Sequence, residues 1–313
     1  MSERIAYLFP GQASQYIGMG RDFVESFPTA KEIFQQVDDL CGRSISRLCF
    51  EGPMEELTLT ENLQPAITAV NLACLSALNS SGVQPHVSAG HSLGEYAALV
   101  SAGVVGTSDA LRMVERRGHL MHRESLTHPG TMAAVIGLPL ETVERVVEES
   151  RGDDILSVAN HNTAEQIVIT GQQEAVSRAV QGAKRQGAKA IPLKVSGAWH
   201  CLLMEGAVGE FRKFIEQIPF SSPTSGMLFN ATGGPVTEPE SIKELMARQL
   251  VSPVKWYDIV QTMASEGVRT FVEVGPKKVL TGLVRKIVSP DEGARLFQVE
   301  DTKSLNEFLA SDE

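Results

Sequence analysis

The chain has 313 residues, 42% hydrophobic and 21% charged, enough to bury a full core in one large domain or two modest ones. A formal net charge of −10 argues against nucleic acid as a main partner, and no apolar run approaches the roughly 18 residues of a membrane span. Four cysteines without C-x-x-C spacing read as reduced thiols in a cytoplasmic protein, and the apolar run Ile5–Phe9 is too short for a signal-peptide core.

That run reads instead as a first buried strand, followed by the turn-rich "PGQASQYIGMG" and by helical patterns over Thr29–Leu40 and Gln64–Leu78. "HVSAG", His86–Gly90, is a short strand, and the small-residue run Leu93–Ser101 begins a helix. Ser108 is placed to cap the next helix, where Leu111, Val114, Gly118 and Met121 recur at helical spacing. Alternation of this kind favours a parallel sheet covered by helices. From Thr131 the pattern changes. Strand Thr131–Leu138, helix Glu141–Glu149, strands "DILSVANH" and "EQIVITG", helix Glu174–Gln186 and strand Ala188–Val195 follow in the order βαββαβ of a ferredoxin-like subdomain. A helix through Leu202–Gln217, a strand at "GMLFN", helices near Ser241–Leu250 and Trp256–Glu266, and the strand "RTFVEVG" come after it. The expected architecture is an α/β-hydrolase-like large domain with a parallel sheet, residues 1–128 and 197–313, interrupted by the ferredoxin-like subdomain, residues 129–196.

The chemistry concentrates at Gly90-His91-Ser92-Leu93-Gly94, a G-x-S-x-G with a strand before it and a helix after it. At so sharp a turn the residues two before and two after the serine crowd each other, and glycine at both relieves the clash. The serine hydroxyl is lifted to the helix N-terminus, where free N–H groups and the dipole stabilise an oxyanion. A glycine-rich turn around a buried serine is the alternative on the motif alone. His91 fails as the base, because adjacent side chains at a strand end point to opposite faces. His86, His119, His122, His128 and His161 read as packed or solvated. His200 in "VSGAWHCLLM", at the junction after the last subdomain strand, is the leading candidate.

Taken together, "FPGQASQYIGMG", "GHSLGEYAAL", "VERRGHLM", "VANHNTAEQIVITG", "VSGAWHCLLM", "SPVKW" and "EVGPKKVL" resemble the malonyl-CoA:acyl carrier protein transacylase family of type II fatty acid and polyketide synthesis, in order and from Leu8 to about Leu283. The resemblance implies that Ser92 is the nucleophile and His200 the general base of a dyad, with the imidazole oriented by a backbone carbonyl at the position of Gln249 rather than by a carboxylate. It implies that Gln12 and the N–H of Leu93 serve the oxyanion, and that Arg117 pairs with the free malonyl carboxylate. Met121, Asn160, Asn162 and Trp199 would lie at the substrate cleft, with hydrogen-bonding of loops an equal role for the two asparagines.

The implied reaction is ping-pong acyl transfer from malonyl-CoA to an acyl carrier protein, with no metal or redox cofactor and coenzyme A present only as thioester. Fatty acid synthesis is the favoured pathway and a trans-acting polyketide acyltransferase the alternative. Three positions depart from the commoner family pattern: Ala13 stands where glycine is frequent, Cys201 where serine is frequent, and Trp199 replaces phenylalanine. A bulky aromatic before the histidine accompanies malonyl selection in the family. A hydrolase and a non-catalytic carrier-docking scaffold are the rival readings. Arg117 counts against the first, and the intact Ser92, His200 and Gln12 count against the second. Lys184, Arg185, Lys189, Lys194, Lys277 and Lys278 form the basic clusters suited to an acidic carrier, or else solvated faces with no partner.

Overall fold

The computed structural model describes residues 4–289 and 293–312. Two sheets organise them. The larger holds five parallel strands in the order β7-β2-β1-β8-β9: β1 is Ile5–Phe9, β2 Val87–Gly90, β7 Gly226–Met227, β8 Thr270–Val274 and β9 Arg295–Val299. Strand β1 shows why helices cover both faces. Its side chains alternate, so Ala6 and Leu8 pack with Trp256, Ile259 and Val284, while Tyr7 and Phe9 join Ile67, Val70 and Leu93 on the other face.

The second sheet is antiparallel in the order β4-β5-β3-β6, with β3 Thr131–Ile136, β4 Leu156–Thr163, β5 Gln166–Gly171 and β6 Lys189–Pro192. Its helices Leu140–Arg151 and Gln173–Arg185 supply Val143, Val146, Ala175 and Ala179 to a separate apolar core. This is the expected βαββαβ connectivity with the ferredoxin-like strand order. The two sheets meet where Asn160 of β4 bridges Val254, with Val254 N–H donating to the Ala159 carbonyl at 2.8 Å and His161 N–H to the Val254 carbonyl at 2.9 Å.

Two local expectations are corrected. Ser108 does not cap its helix: Thr107–Thr127 starts earlier, its N-cap is the extended Gly106, and Ser108 lies inside the first turn. The strand at "GMLFN" pairs only over Gly226–Met227, since the chain leaves the sheet after Leu228 and carries Asn230 under the Ser92 turn. Among the described residues no helix is long and apolar enough to cross a membrane.

The tightest point in the fold is the turn between β2 and the helix Glu95–Ser101. A Cβ on Gly90 would sit 1.9 Å from the Gly94 carbonyl carbon, and one on Gly94 1.9 Å from the Phe9 carbonyl oxygen. Both neighbours are backbone and cannot swing aside. Gly94→Ala should therefore cost about 3 kcal/mol or more of stability, read as a lowered urea midpoint at unchanged m-value. A variant as stable as the parent would mean that β1 can move away from the turn.

Candidate active site

Ser92 occupies that turn with φ +51°, in the left-handed region that non-glycine residues seldom enter. The conformation is clamped from below. The Ser92 N–H donates to Asn230 Oδ1 at 2.6 Å, and Asn230 Nδ2 donates to the Gly90 carbonyl at 2.7 Å. With its own N–H committed to Asn230, Ser92 has no backbone donor left for a ligand, and the next N–H along the turn is that of Leu93. The close approach of Gly11 to the His91 carbonyl and the Leu93 nitrogen brings the Gln12 loop to the same spot. Next in that loop, Ala13 takes φ +80°, which explains why glycine suits this position and shows that alanine is accommodated at some backbone cost.

His200 Nε2 lies 2.7 Å from Ser92 Oγ. Its Nδ1 faces two carbonyl oxygens, those of Gln249 and Ser252, each at 3.0 Å. A ring nitrogen between two acceptors must carry the proton, so Nε2 is the bare nitrogen and accepts from the serine hydroxyl. Among the described residues no carboxylate touches this imidazole. Burial, reinforced by the Arg117 cation, pushes its pKa down to about 3, so the ring is neutral and ready to accept a proton throughout the working range. His91, by contrast, turns away, with Nε2 2.8 Å from Asn162 Oδ1 and its ring against Trp256.

Arg117 reaches the serine from behind. Helix Thr107–Thr127 crosses helix Thr60–Ser80 closely, since a Cβ on Gly118 would already stand 3.1 Å from the Thr60 carbonyl oxygen. The guanidinium is fully buried, donating from Nη1 to Gln64 Oε1 at 2.8 Å and from Nη2 to Ser92 Oγ at 3.2 Å and Gln249 Oε1 at 3.1 Å. It also lies over the Tyr96 ring, 5.6 Å from its centroid. Arg116 points outward and pairs with Glu210.

A cleft of about 490 Å³ opens above these groups, lined by Gln12, Ser92, Asn160, Asn162, Trp199 and His200 among others. Gln249 and Leu93 stand just behind its wall, buried. Met121 does not line it. Fully buried, Met121 touches the site through its sulfur, which accepts from Gln64 Nε2 at 3.3 Å and so turns the Gln64 oxygen toward Arg117. Cys201 is buried too, its thiol donating to the Ala198 carbonyl and accepting from Thr170 Oγ1. Among the described residues no group of three or more His, Cys, Asp or Glu side chains is arranged to hold a metal.

Four participants went unrecognised in the sequence: Gln64, Glu95, Asn230 and Ser252. Gln64 carried a usable signal, a polar residue heading the apolar helical run that continues to Leu78, whereas Glu95 stands at a helix start, where an acidic residue is commonplace. Asn230 reads as the last residue of the strand "GMLFN" and Ser252 as the first of "SPVKW", with nothing local to mark either.

A histidine-paired serine at a strand–turn–helix elbow, with a buried cation beside it, defines the class of acyl-transferring α/β enzymes. Known proteins narrow that class. Residues 6–303 match the family model described as acyl transferase domain. The chain is 41% identical to the malonyl CoA-acyl carrier protein transacylase of Bacillus subtilis strain 168, covering 91% of this chain and 90% of that protein. It is 40% identical to that of Escherichia coli K12, over 91% of this chain and 93% of the relative. An acyl carrier protein S-malonyltransferase from Vibrio cholerae superposes with a TM-score of 0.93 at 38% identity, covering 98% of this chain and all of that one (100%). A malonyl-transacylase in complex with its type II polyketide synthase acyl-carrier protein gives 0.94 at 38% identity, covering 99% of this chain and 100% of that one. The chain belongs to the malonyl-CoA:acyl carrier protein transacylases of the acyl transferase family.

The electrostatics of His200 carry a pH consequence. An imidazole open to water would lose its basic form below its ordinary pKa of about 6.5, whereas His200 keeps it. The rate at which a fluorophosphonate labels Ser92 should therefore pass through pH 6.5 without a break. An inflection there would show that water reaches the imidazole.

Proposed function

We infer that this protein moves malonyl from malonyl-CoA to the phosphopantetheine thiol of an acyl carrier protein through a malonyl ester on Ser92. One observation carries the reading: the Ser92 hydroxyl lies 2.7 Å from an unprotonated imidazole nitrogen and 3.2 Å from a buried guanidinium. Nucleophile, base and an anchor for a free carboxylate converge on a single oxygen.

In the first half-reaction His200 Nε2 takes the hydroxyl proton as Ser92 Oγ attacks the thioester carbonyl. The oxyanion is held by the Leu93 N–H and the Gln12 loop. The intermediate collapses with loss of the coenzyme A sulfur, which leaves with the proton from His200. The malonyl carboxylate takes up the Arg117 Nη groups, the kind of planar, bidentate pairing that arginine suits. In the second half the carrier's thiol gives its proton to His200, its sulfur attacks the serine ester, and Ser92 Oγ recovers the proton on leaving. These steps use protein groups and the two thioesters, with no metal or redox cofactor. The exposed Lys194 lines the cleft, and with Lys189 and Lys278 it offers an acidic carrier a basic approach. We place the reaction in the cytoplasm, in keeping with four free cysteines, and in fatty acid synthesis in the first place.

Incubation with malonyl-CoA should add one malonyl mass to the peptide containing Ser92, and Ser92→Ala should abolish it. A stable adduct on Cys201 or elsewhere overturns the assignment.

Trp199 is buried, stacks over Gly197 and shows an edge to the cleft, where its ring occupies space that an α-methyl branch of the acyl group would need. Fit against one methyl gives about 10- to 200-fold discrimination. Trp199→Ser should narrow the malonyl-to-methylmalonyl ratio of kcat/KM by admitting the branched substrate. A folded variant with an unmoved ratio would show that the ring only packs the junction between the sheets.

A further inference from the structure

Glu95, the first residue of its helix, is 1% exposed and makes no direct ion pair among the described residues. One carboxylate oxygen accepts the Asn230 N–H at 2.7 Å and the other accepts Gln249 Nε2. The same Nε2 also donates to the Ser92 carbonyl at 2.9 Å. Both hydrogens of the Gln249 amide are thereby used on one side, which leaves its oxygen to face Arg117 Nη2 at 3.1 Å. An amide has two faces of opposite polarity and nearly the same shape, and Glu95 decides which one Arg117 meets.

We infer that Glu95 is a positioning residue for substrate selection: its carboxylate fixes the polarity of the Gln249 amide, and the amide oxygen aims the Arg117 guanidinium at the acyl group on Ser92. This rests on Arg117 being the anchor for the malonyl carboxylate.

The chemistry of the pocket makes the role specific to the charge. The Asn230 N–H is fixed backbone and claims whatever oxygen residue 95 offers. In Glu95→Gln the second atom becomes an NH2, which meets the Gln249 NH2 donor to donor. Gln249 then either turns its amide over, setting its oxygen against the Ser92 carbonyl and its NH2 against a guanidinium that can only donate, or shifts away from residue 95; in both cases Arg117 loses its aim. Protonated Glu95 behaves in the same way, with an O–H where an acceptor is needed. Arg117 is the charged group acting on Glu95 from the elements packed against its helix, and Tyr96 is the titratable neighbour. His91 and His200 are both held below the ordinary imidazole range by burial and stay neutral near pH 7. Burial raises Glu95 to about 7, so its carboxylate form is lost as pH falls through neutrality.

The test compares kcat/KM for malonyl-CoA and acetyl-CoA, with one carrier protein, in the wild type, Glu95→Gln and Arg117→Ala. Acetyl has no carboxylate to pair. Misdirecting a charged hydrogen-bonding group should make Glu95→Gln lose malonyl transfer by about tenfold more than acetyl transfer, mostly in KM. Equal losses for both donors mean a merely structural carboxylate and overturn the inference. Arg117→Ala should collapse the ratio; if it does not, the anchor reading fails and takes this inference with it. Should Glu95→Gln not fold, the wild type supplies the same test. Its malonyl-to-acetyl ratio should fall as pH is lowered from about 8 to about 6, since coenzyme A and carrier-thiol titrations are common to both donors and cancel. A flat ratio alongside a collapsed one in Arg117→Ala overturns the role of Glu95 alone.

Discussion

A fully buried guanidinium is the constraint that the rest of this site answers. Removing such an ion from solvent costs several kcal/mol unless its donors are met, and among the described residues no carboxylate touches Arg117, whose Nη groups are met while Nε–H has no partner. Its partners are instead two glutamine oxygens, the serine hydroxyl and the face of Tyr96, each of which must be held by something else. Met121 holds Gln64, Glu95 holds Gln249, and His200 holds the serine. One charge thus organises side chains from two long helices, the elbow and the segment after Arg248.

The same residues serve more than one neighbour. Gln249 gives its backbone oxygen to His200, its side-chain oxygen to Arg117, and its N–H groups to Ser92 and Glu95. Asn230 joins Glu95 to the elbow. The orientations of the His200 ring and the Arg117 guanidinium are therefore linked through a single glutamine. The bridge between Asn160 and Val254 ties the small sheet into the same segment, two residues from the Ser252 carbonyl that also receives His200.

Much of this is legible in the amino-acid sequence, for identifiable reasons. Period-2 and period-3.6 patterns record which face of an element is buried, so β1, the helix Thr60–Ser80 and the βαββαβ stretch are legible within a few residues of their ends, and the helix Thr107–Thr127 at its start. The glycines around Ser92 record a steric demand that only glycine meets. Burial of a polar side chain leaves a fainter trace. Glu95 at the start of a helix has the look of an ordinary dipole partner, and its burial depends on Asn230 arriving from far along the chain. His200 was separable from the other histidines only as a candidate, because its pairing with Ser92 is made by tertiary packing alone. The end of "GMLFN" escaped for a related reason: the pull of Asn230 toward the elbow ends that strand, and nothing local announces it.

The backbone at the two reacting residues carries a consequence for descent. Ser92 and His200 both hold positive φ, at +51° and +63°. Threonine has a hydroxyl of similar reactivity, yet a β-branched side chain is a steric outlier in that region, so the shape of the turn forbids a replacement that the chemistry would permit. Cysteine, unbranched and close in size, remains compatible with the turn. A lineage that kept this elbow could exchange oxygen for sulfur at the nucleophile far more readily than it could add one methyl group.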